Sequence, residues 1–123
     1  ARPDYAEAAQ LIDAMTPAIR NGSEPLLLAG ALSHRALGNN QKTREYLDAL
    51  LARNGRHGAA QVLMAEVLID SGDLIRAATV LEPLLQAQPN DPQLLFMMGN
   101  LHLQRRQYAQ AAEMLEKAAR SGG

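Results

Sequence analysis

The chain of 123 residues contains no cysteine and no tryptophan, and only 3% of its residues are aromatic. Without cysteine it has no disulfides, no thiolate zinc site and no cysteine nucleophile, which fits either a reducing cytoplasm or an oxidising periplasm. One phenylalanine and three tyrosines are few for a sheet, whereas abundant alanine, leucine and glutamine favour helix. The composition therefore predicts an all-α fold.

The chain also lacks an excess of charge and a long apolar run. Its 12 Lys and Arg nearly balance 13 Asp and Glu, and no basic run marks a nucleic-acid-binding surface. No stretch approaches the roughly 20 apolar residues that span a bilayer, so we expect neither nucleic-acid binding nor membrane insertion. Because the chain begins at Ala1 without an initiator methionine or an apolar leader, we expect a processed or excised piece.

Glycine and proline divide the chain into seven segments of helical length. The first runs from about residue 4 to 20 and carries apolar residues on one stripe at helical spacing: Tyr5, Ala8, Ile12, Met15 and Ile19. The others cover about 24–37, 41–53, 58–71, 74–87, 92–105 and 108–120. Pro17 and Pro83 each remove a backbone hydrogen bond and should bend their helices. Short turns between similar helices predict stacked helical hairpins.

The sequence matches itself at a fixed spacing, which is the signature of an internal repeat. Small residues recur at Ala31, Ala65 and Gly99. Large apolar residues recur with the same spacing at Leu47, Leu81 and Leu115. Small residues at these positions should let paired helices approach closely, and the large residues should fill the space beside them.

The spacing is about 34 residues with two helices per period, which resembles the tetratricopeptide repeat and its pattern W-x2-L-G-x2-Y followed by A-x3-F. The last copy here reads Leu95-x2-Met98-Gly99-x2-His102, and then Ala111-x3-Leu115. The resemblance covers essentially the whole chain and implies one domain built as a right-handed superhelix of α-α hairpins. Its expected parts are a half-repeat helix over 1–21 and repeats over 22–57, 58–91 and 92–123.

Few residues suggest catalysis or metal binding. His34 and His102 fall at equivalent positions two repeats apart, so a shared metal would have to reach past the whole intervening hairpin. Both are therefore expected to have a packing role, and His57 is expected to be solvated in a turn. Glu66 and Asp70 share a helix face as an acid–base pair would, but such carboxylates more often select basic ligands or meet a cation. Phosphate-loop and hydrolase motifs are missing. We predict no enzyme activity, no metal and no cofactor.

The resemblance places the ligand surface on the first helix of each hairpin, which lines the concave face in this family. Two of these helices, around 26–32 and 94–99, are apolar around the whole circumference, which predicts burial on every side. By analogy, a helical or extended partner segment would lie along a groove of these residues: Leu28, Leu32, Arg35, Val62, Glu66, Ile69, Asp70, Gln93, Phe96, Met97, Asn100, Leu103 and Gln104. The alternative is that neighbouring parts of a longer array cover this surface.

The resemblance to bacterial members predicts a non-catalytic protein-interaction scaffold in a larger assembly or an envelope or secretion system. The alternative is a regulatory or substrate-presenting domain of a larger enzyme whose catalytic part lies outside this chain. The carboxylate clamp of chaperone-binding members is missing, because the corresponding positions hold Leu28, Leu32, Leu63, Gln93 and Met97. Solenoids need polar caps, so the uncapped terminal helices predict self-association through two sets of residues: Tyr5, Ile12 and Met15, and Leu115 and Ala118.

Overall fold

The computed structural model describes residues 4–122, which form eight α-helices and no strand. The all-α prediction is therefore confirmed. The helices are, in chain order, α1 (Tyr5–Asp13), α2 (Pro17–Asn21), α3 (Glu24–Ala36), α4 (Asn40–Arg53), α5 (Gly58–Asp70), α6 (Leu74–Ala87), α7 (Pro92–Gln104) and α8 (Tyr108–Ser121).

The chain has two compact units, which we call the N-terminal unit, up to residue 63, and the C-terminal unit, from residue 64 onward. In the N-terminal unit α3 packs against α1, α2 and α4. In the C-terminal unit α7 packs against α6 and α8. Each unit thus contains one hairpin, α3–α4 or α7–α8, packed against what precedes it in the chain: α1 and α2 in the N-terminal unit, and α6 in the C-terminal unit.

The prediction of one N-terminal helix over residues 4–20 is wrong, because α1 ends at Asp13 and α2 begins at Pro17. Thr16 has an extended backbone, and its side-chain oxygen accepts a hydrogen bond from the amide of Ile19. Pro17 follows as the first helical residue, where its missing N–H costs nothing. Pro17 therefore begins a helix and does not bend one, whereas α6 continues through Pro83.

Side-chain caps set the beginnings of several helices. An oxygen of each capping residue accepts a hydrogen bond from the amide three residues later, as expected for an N-cap. These capping residues are Asp4, Ser23, Asn39 and Asp91. His57 acts similarly before α5, because its Nδ1 accepts from the amide of Ala60 at 3.2 Å. His57 lies in the turn, as expected, but it is half-buried and also caps a helix.

The turns after α3, α5 and α7 have the same backbone geometry. Each has a residue with positive φ: 77° at Gly38, 79° at Gly72 and 61° at Arg106. In each, the next amide donates to the carbonyl five residues earlier, at 2.8 to 2.9 Å. This arrangement satisfies a carbonyl at the helix end and favours glycine at the left-handed position. The repeat period of the sequence is therefore present in the backbone as well as in the side chains.

The predicted packing of small against large residues is confirmed at Gly99. A Cβ atom added at Gly99 would lie 2.7 Å from Cδ2 of Leu115, so any larger residue would force the Leu115 side chain to move. Ala31, Ala77 and Ala111 are fully buried. The largest fully buried apolar side chains are leucines and one valine: Leu27, Leu47, Leu50, Leu68, Leu81, Leu95, Leu101 and Val67.

Candidate functional site

The predicted groove residues of the N-terminal unit lie on α3 and at the beginning of α5. Leu28 and Val62 are half-buried, and Leu32 is 47% exposed. Arg35 is half-buried, and its Nη1 donates to Oδ1 of Asn40 at 3.4 Å. The expectation that α3 is buried on every side is therefore wrong at Leu32, which presents an apolar side chain to solvent.

The predicted groove residues of the C-terminal unit lie on α5 and α7. Nε2 of Gln93 donates to Oε1 of Glu66 at 3.3 Å and thereby links the two helices. Ile69 and Met97 are buried and belong to the core. Asn100 is half-buried, and the remaining members are exposed: Asp70, Gln93, Phe96, Leu103 and Gln104.

Phe96 and Leu103 form an exposed apolar strip on α7. Phe96 lies four residues before Asn100 and Leu103 lies three residues after it, so all three share one helix face. Phe96 is 59% exposed and Leu103 is 43% exposed. Burial of α7 on every side is therefore wrong as well. We call Phe96, Asn100 and Leu103 the α7 strip.

A polar cluster in the N-terminal unit was not predicted from the sequence. His34 is buried, and its Nε2 donates to both carboxylate oxygens of Asp13, at 3.0 and 3.1 Å. The hydroxyl of Tyr46 donates to Oδ1 of the same carboxylate. The rings of His34 and Tyr46 stack with centroids 5.7 Å apart, and Cζ of Arg20 lies 5.7 Å from the Tyr46 centroid. These four residues are the Tyr46 cluster.

The cluster shifts two pKa values in opposite directions. Burial alone would raise the pKa of Asp13, but hydrogen bonds from Tyr46 and His34 outweigh it and lower the pKa below 3.8. Burial, followed by the hydrogen bond to Asp13, raises the pKa of Tyr46 to about 12. The hydrogen bonds of the cluster thus keep the Asp13 carboxylate charged, and the phenol of Tyr46 stays neutral. The predicted packing role of His34 agrees with this arrangement.

Glycine at position 30 makes room for the Tyr46 ring. A Cβ atom added at Gly30 would lie 2.7 Å from Cε1 of Tyr46. The sequence contained this signal, because two repeats later Met98 replaces the glycine and Met114 replaces the tyrosine. The first pair combines a small residue with a large one, whereas the second pair combines two residues of intermediate size. Outside the ring, Tyr46 borders a cleft of about 190 Å³ that Arg20 and other polar side chains also line.

The C-terminal unit has an open pocket of about 370 Å³ beside Met98 and Met114. Leu85 and Pro89 complete its apolar wall. Its polar residues are Glu82, Gln86 and His102. Nδ1 of His102 lies 2.7 Å from Oε1 of Gln107. We call this feature the methionine pocket.

Among residues 4–122, no group of three or more His, Asp or Glu side chains is arranged to hold a metal ion. Over the same range, no helix has the length and apolarity needed to cross a membrane.

Comparisons with known proteins agree with the fold. The chain is 26% identical over 108 residues to cellulose synthase operon protein C of Pseudomonas fluorescens (strain SBW25). The match covers 86% of this chain but only 8% of that relative. The solved structure of MamA, residue 41 to its end, from Desulfovibrio magneticus RS-1 superposes with a TM-score of 0.85. It covers 98% of this chain and 67% of the MamA chain at 22% identity, which establishes likeness of fold alone.

A family profile described as tetratricopeptide repeat matches residues 34–95 and again residues 68–122. The two overlapping matches span most of the chain and include α4 to α8, with the end of α3. The predicted resemblance is therefore confirmed, and the chain belongs to the tetratricopeptide repeat family.

Proposed function

We propose that this chain is a non-catalytic module that binds a segment of a partner protein through apolar side chains on the first helices of its hairpins. The observation that carries the proposal is the α7 strip, where the only phenylalanine of the chain is 59% exposed. A large aromatic side chain in solvent beside a second exposed apolar residue is typical of an interaction surface. Leu32, exposed on α3, adds apolar surface in the N-terminal unit.

The chemistry of the strip indicates what holds the partner. Covering the exposed part of Phe96 contributes on the order of 2 to 3 kcal/mol before association costs. The neighbouring polar groups on α7, from Gln93, Asn100 and Gln104, are neutral amides that fix direction and register by hydrogen bonding. Affinity should therefore depend only moderately on salt, and a few apolar side chains should dominate it.

The partner segment should present apolar side chains at helical spacing or on alternate residues of an extended strand. The name of the Pseudomonas relative assigns that protein to a cellulose synthase operon. This supports, for the present chain, a scaffold role in a bacterial assembly of several proteins.

The test uses a photo-crosslinking residue at position 96 and, as a control, at position 75. Ile75 is 75% exposed on α6 and is not part of the predicted groove. The peptide crosslinked from position 96 is sequenced, synthesised and titrated calorimetrically against the chain. Phe96→Glu and Leu103→Glu should each weaken binding at least tenfold, because they leave a carboxylate against an apolar side chain.

Ile75→Glu should bind within about twofold of the unchanged chain. Met98→Glu should unfold the C-terminal hairpin instead, because Met98 is buried. Binding that survives Phe96→Glu, or unfolding by that variant, would contradict the proposal.

A further inference from the structure

The two units contain one structural position with two different occupants. His34 and Tyr46 correspond to His102 and Met114, two repeats later. The same spacing leads from Asp13 of α1 to Leu81 of α6, and Glu82, the next residue, lines the methionine pocket together with His102. The contacts agree, since α3 packs between α1 and α4 as α7 packs between α6 and α8.

The N-terminal unit shows which group this position holds. There the ring is a phenol, stacked on a histidine and donating its hydroxyl proton to a carboxylate. The C-terminal unit retains the histidine as His102 and has a carboxylate on the same pocket at Glu82, but it has methionine and no tyrosine at the equivalent position. Instead both side chains line the methionine pocket, whose volume of about 370 Å³ falls at the small end of ligand sites.

Glu82 and His102 offer hydrogen-bond acceptors in the methionine pocket, and Gln86 offers both a donor and an acceptor. A hydrogen bond from Nδ1 of His102 to Oε1 of Gln107 requires the tautomer with its proton on Nδ1, and in that neutral ring Nε2 is an acceptor. The Glu82 carboxylate also only accepts. The apolar walls suit an aromatic ring, because the thioethers of Met98 and Met114 are flexible and make favourable contacts with ring edges.

We propose that the methionine pocket binds the phenol ring of a tyrosine residue on a partner protein, with the tyrosine hydroxyl donating to the carboxylate of Glu82. The ring then lies against His102, Met98 and Met114. A phenylalanine fits the same walls but leaves the carboxylate without a donor, so tyrosine is preferred. This site is independent of the α7 strip and does not rest on the proposed function.

The test titrates the whole chain with p-cresol, the side chain of tyrosine, and follows labelled methionine methyl signals by NMR. Ring currents should shift the methyls of Met98 and Met114, with a dissociation constant on the order of 1 mM for a ligand this small. Met15 and Met64 do not line the pocket and serve as internal controls. N-acetyltyrosinamide should shift the same two signals, because the occupant is a residue and not a free phenol.

Selectivity tests the hydroxyl. p-Methylanisole has the same ring without a donor and should bind about threefold to tenfold more weakly than p-cresol. Glu82→Gln should weaken p-cresol about threefold and leave p-methylanisole unchanged. Glu113→Gln removes the same charge from an exposed residue outside the pocket and should change neither ligand. Phe96→Glu should also leave p-cresol binding intact.

Several results would overturn the proposal. They are equal shifts at the methyls of Met15, Met64, Met98 and Met114, equal affinity for the two ring compounds, and binding of p-cresol without binding of N-acetyltyrosinamide. Concentration-dependent shifts of Met98 and Met114 in the ligand-free chain would assign the pocket to a tyrosine of a second copy. That result would overturn the assignment to a partner protein.

Discussion

Tyr46 in the N-terminal unit and Met114 in the C-terminal unit occupy corresponding positions of two repeats, yet the surfaces around them differ. Around Tyr46 the chain supplies its own phenol, and a histidine, a carboxylate and an arginine surround the ring. Around Met114 the histidine and a carboxylate remain, but flexible thioethers border an open pocket. The same repeat can thus form a polar cluster from its own side chains, as around Tyr46, or leave a pocket that a ligand can enter, as around Met114.

The small residue that faces the ring decides between the two outcomes. Gly30 leaves the space that the Tyr46 ring occupies, whereas Met98 places a side chain there. Since core packing tolerates exchange only when total volume is conserved, the glycine and the tyrosine must change together. A ring fixed by hydrogen bonds is rigid, while two methionines adapt to what enters.

The largest expected effect comes from inserting the methionine of one unit into the other. Gly30→Met should destabilise the chain by about 3 kcal/mol or more, because its Cβ would lie 2.7 Å from a ring held by Asp13. In a Tyr46→Met background the same change should cost less than about 1 kcal/mol, because a thioether yields and glycine is a poor helix former. Urea denaturation of the four proteins measures both costs.

Equal costs of Gly30→Met in the two backgrounds would contradict the coupling of Gly30 with Tyr46. They would mean that the glycine is required for a reason other than the ring. A coupling energy of about 2 kcal/mol between the two positions would confirm that the pair acts as one unit of packing.

Alkaline pH should give the next largest effect, through the hydroxyl that distinguishes the N-terminal unit. The pKa of Tyr46 is raised from 10 to about 12, so the folded chain holds this proton more tightly than the unfolded chain. The resulting stability is complete below pH 10 and is lost as the pH rises through 12. Two pKa units correspond to roughly 2 to 3 kcal/mol, of which about half should be lost at pH 11.

Denaturation of the unchanged chain and of Tyr46→Phe at pH 8 and pH 11 isolates this contribution. The rest of the chain is the same in both proteins, so its pH dependence cancels in the difference. If both proteins lose the same stability, the Tyr46 hydroxyl is not held as the structure shows. Tyr46→Phe itself should cost about 1 to 2 kcal/mol at pH 8, since Asp13 loses a donor.

Periodicity in the sequence predicted α3 to α8, because glycine and proline mark their ends and the repeat spacing reproduces the packing positions. It failed at residues 14–16, where apolar spacing continued through a Thr16-Pro17 pair that begins a new helix. Apolar spacing reports which residues share a face. It does not report whether the backbone leaves the helix between them, which the capping side chain decides.

The site was less predictable for a different reason. Asp13, His34 and Tyr46 lie on three different helices, and nothing near any one of them in the sequence indicates that their polar atoms meet. Only comparison of the repeats could reveal the cluster, through the exchange of Gly30 and Tyr46 for two methionines. The groove residues came from family analogy, and burial now separates Ile69 and Met97, which belong to the core, from Phe96 and Leu103, which are exposed.

The smallest expected effect compares the turns of the two units. Gly38 in the N-terminal unit and Arg106 in the C-terminal unit occupy equivalent left-handed positions, with φ of 77° and 61°. The backbone of a residue with a side chain is strained at positive φ, whereas that of glycine is not. The strain relieved by glycine exceeds the destabilisation caused by the entropy that glycine adds to the unfolded chain. Arg106→Gly should therefore stabilise the chain by about 0.5 to 1 kcal/mol, measured by thermal denaturation. Arg106→Ala is the control, because it removes the charge and keeps the strain, and it should leave stability nearly unchanged. Equal stabilisation by both variants would attribute the effect to the charge of Arg106 and leave the two turns energetically alike.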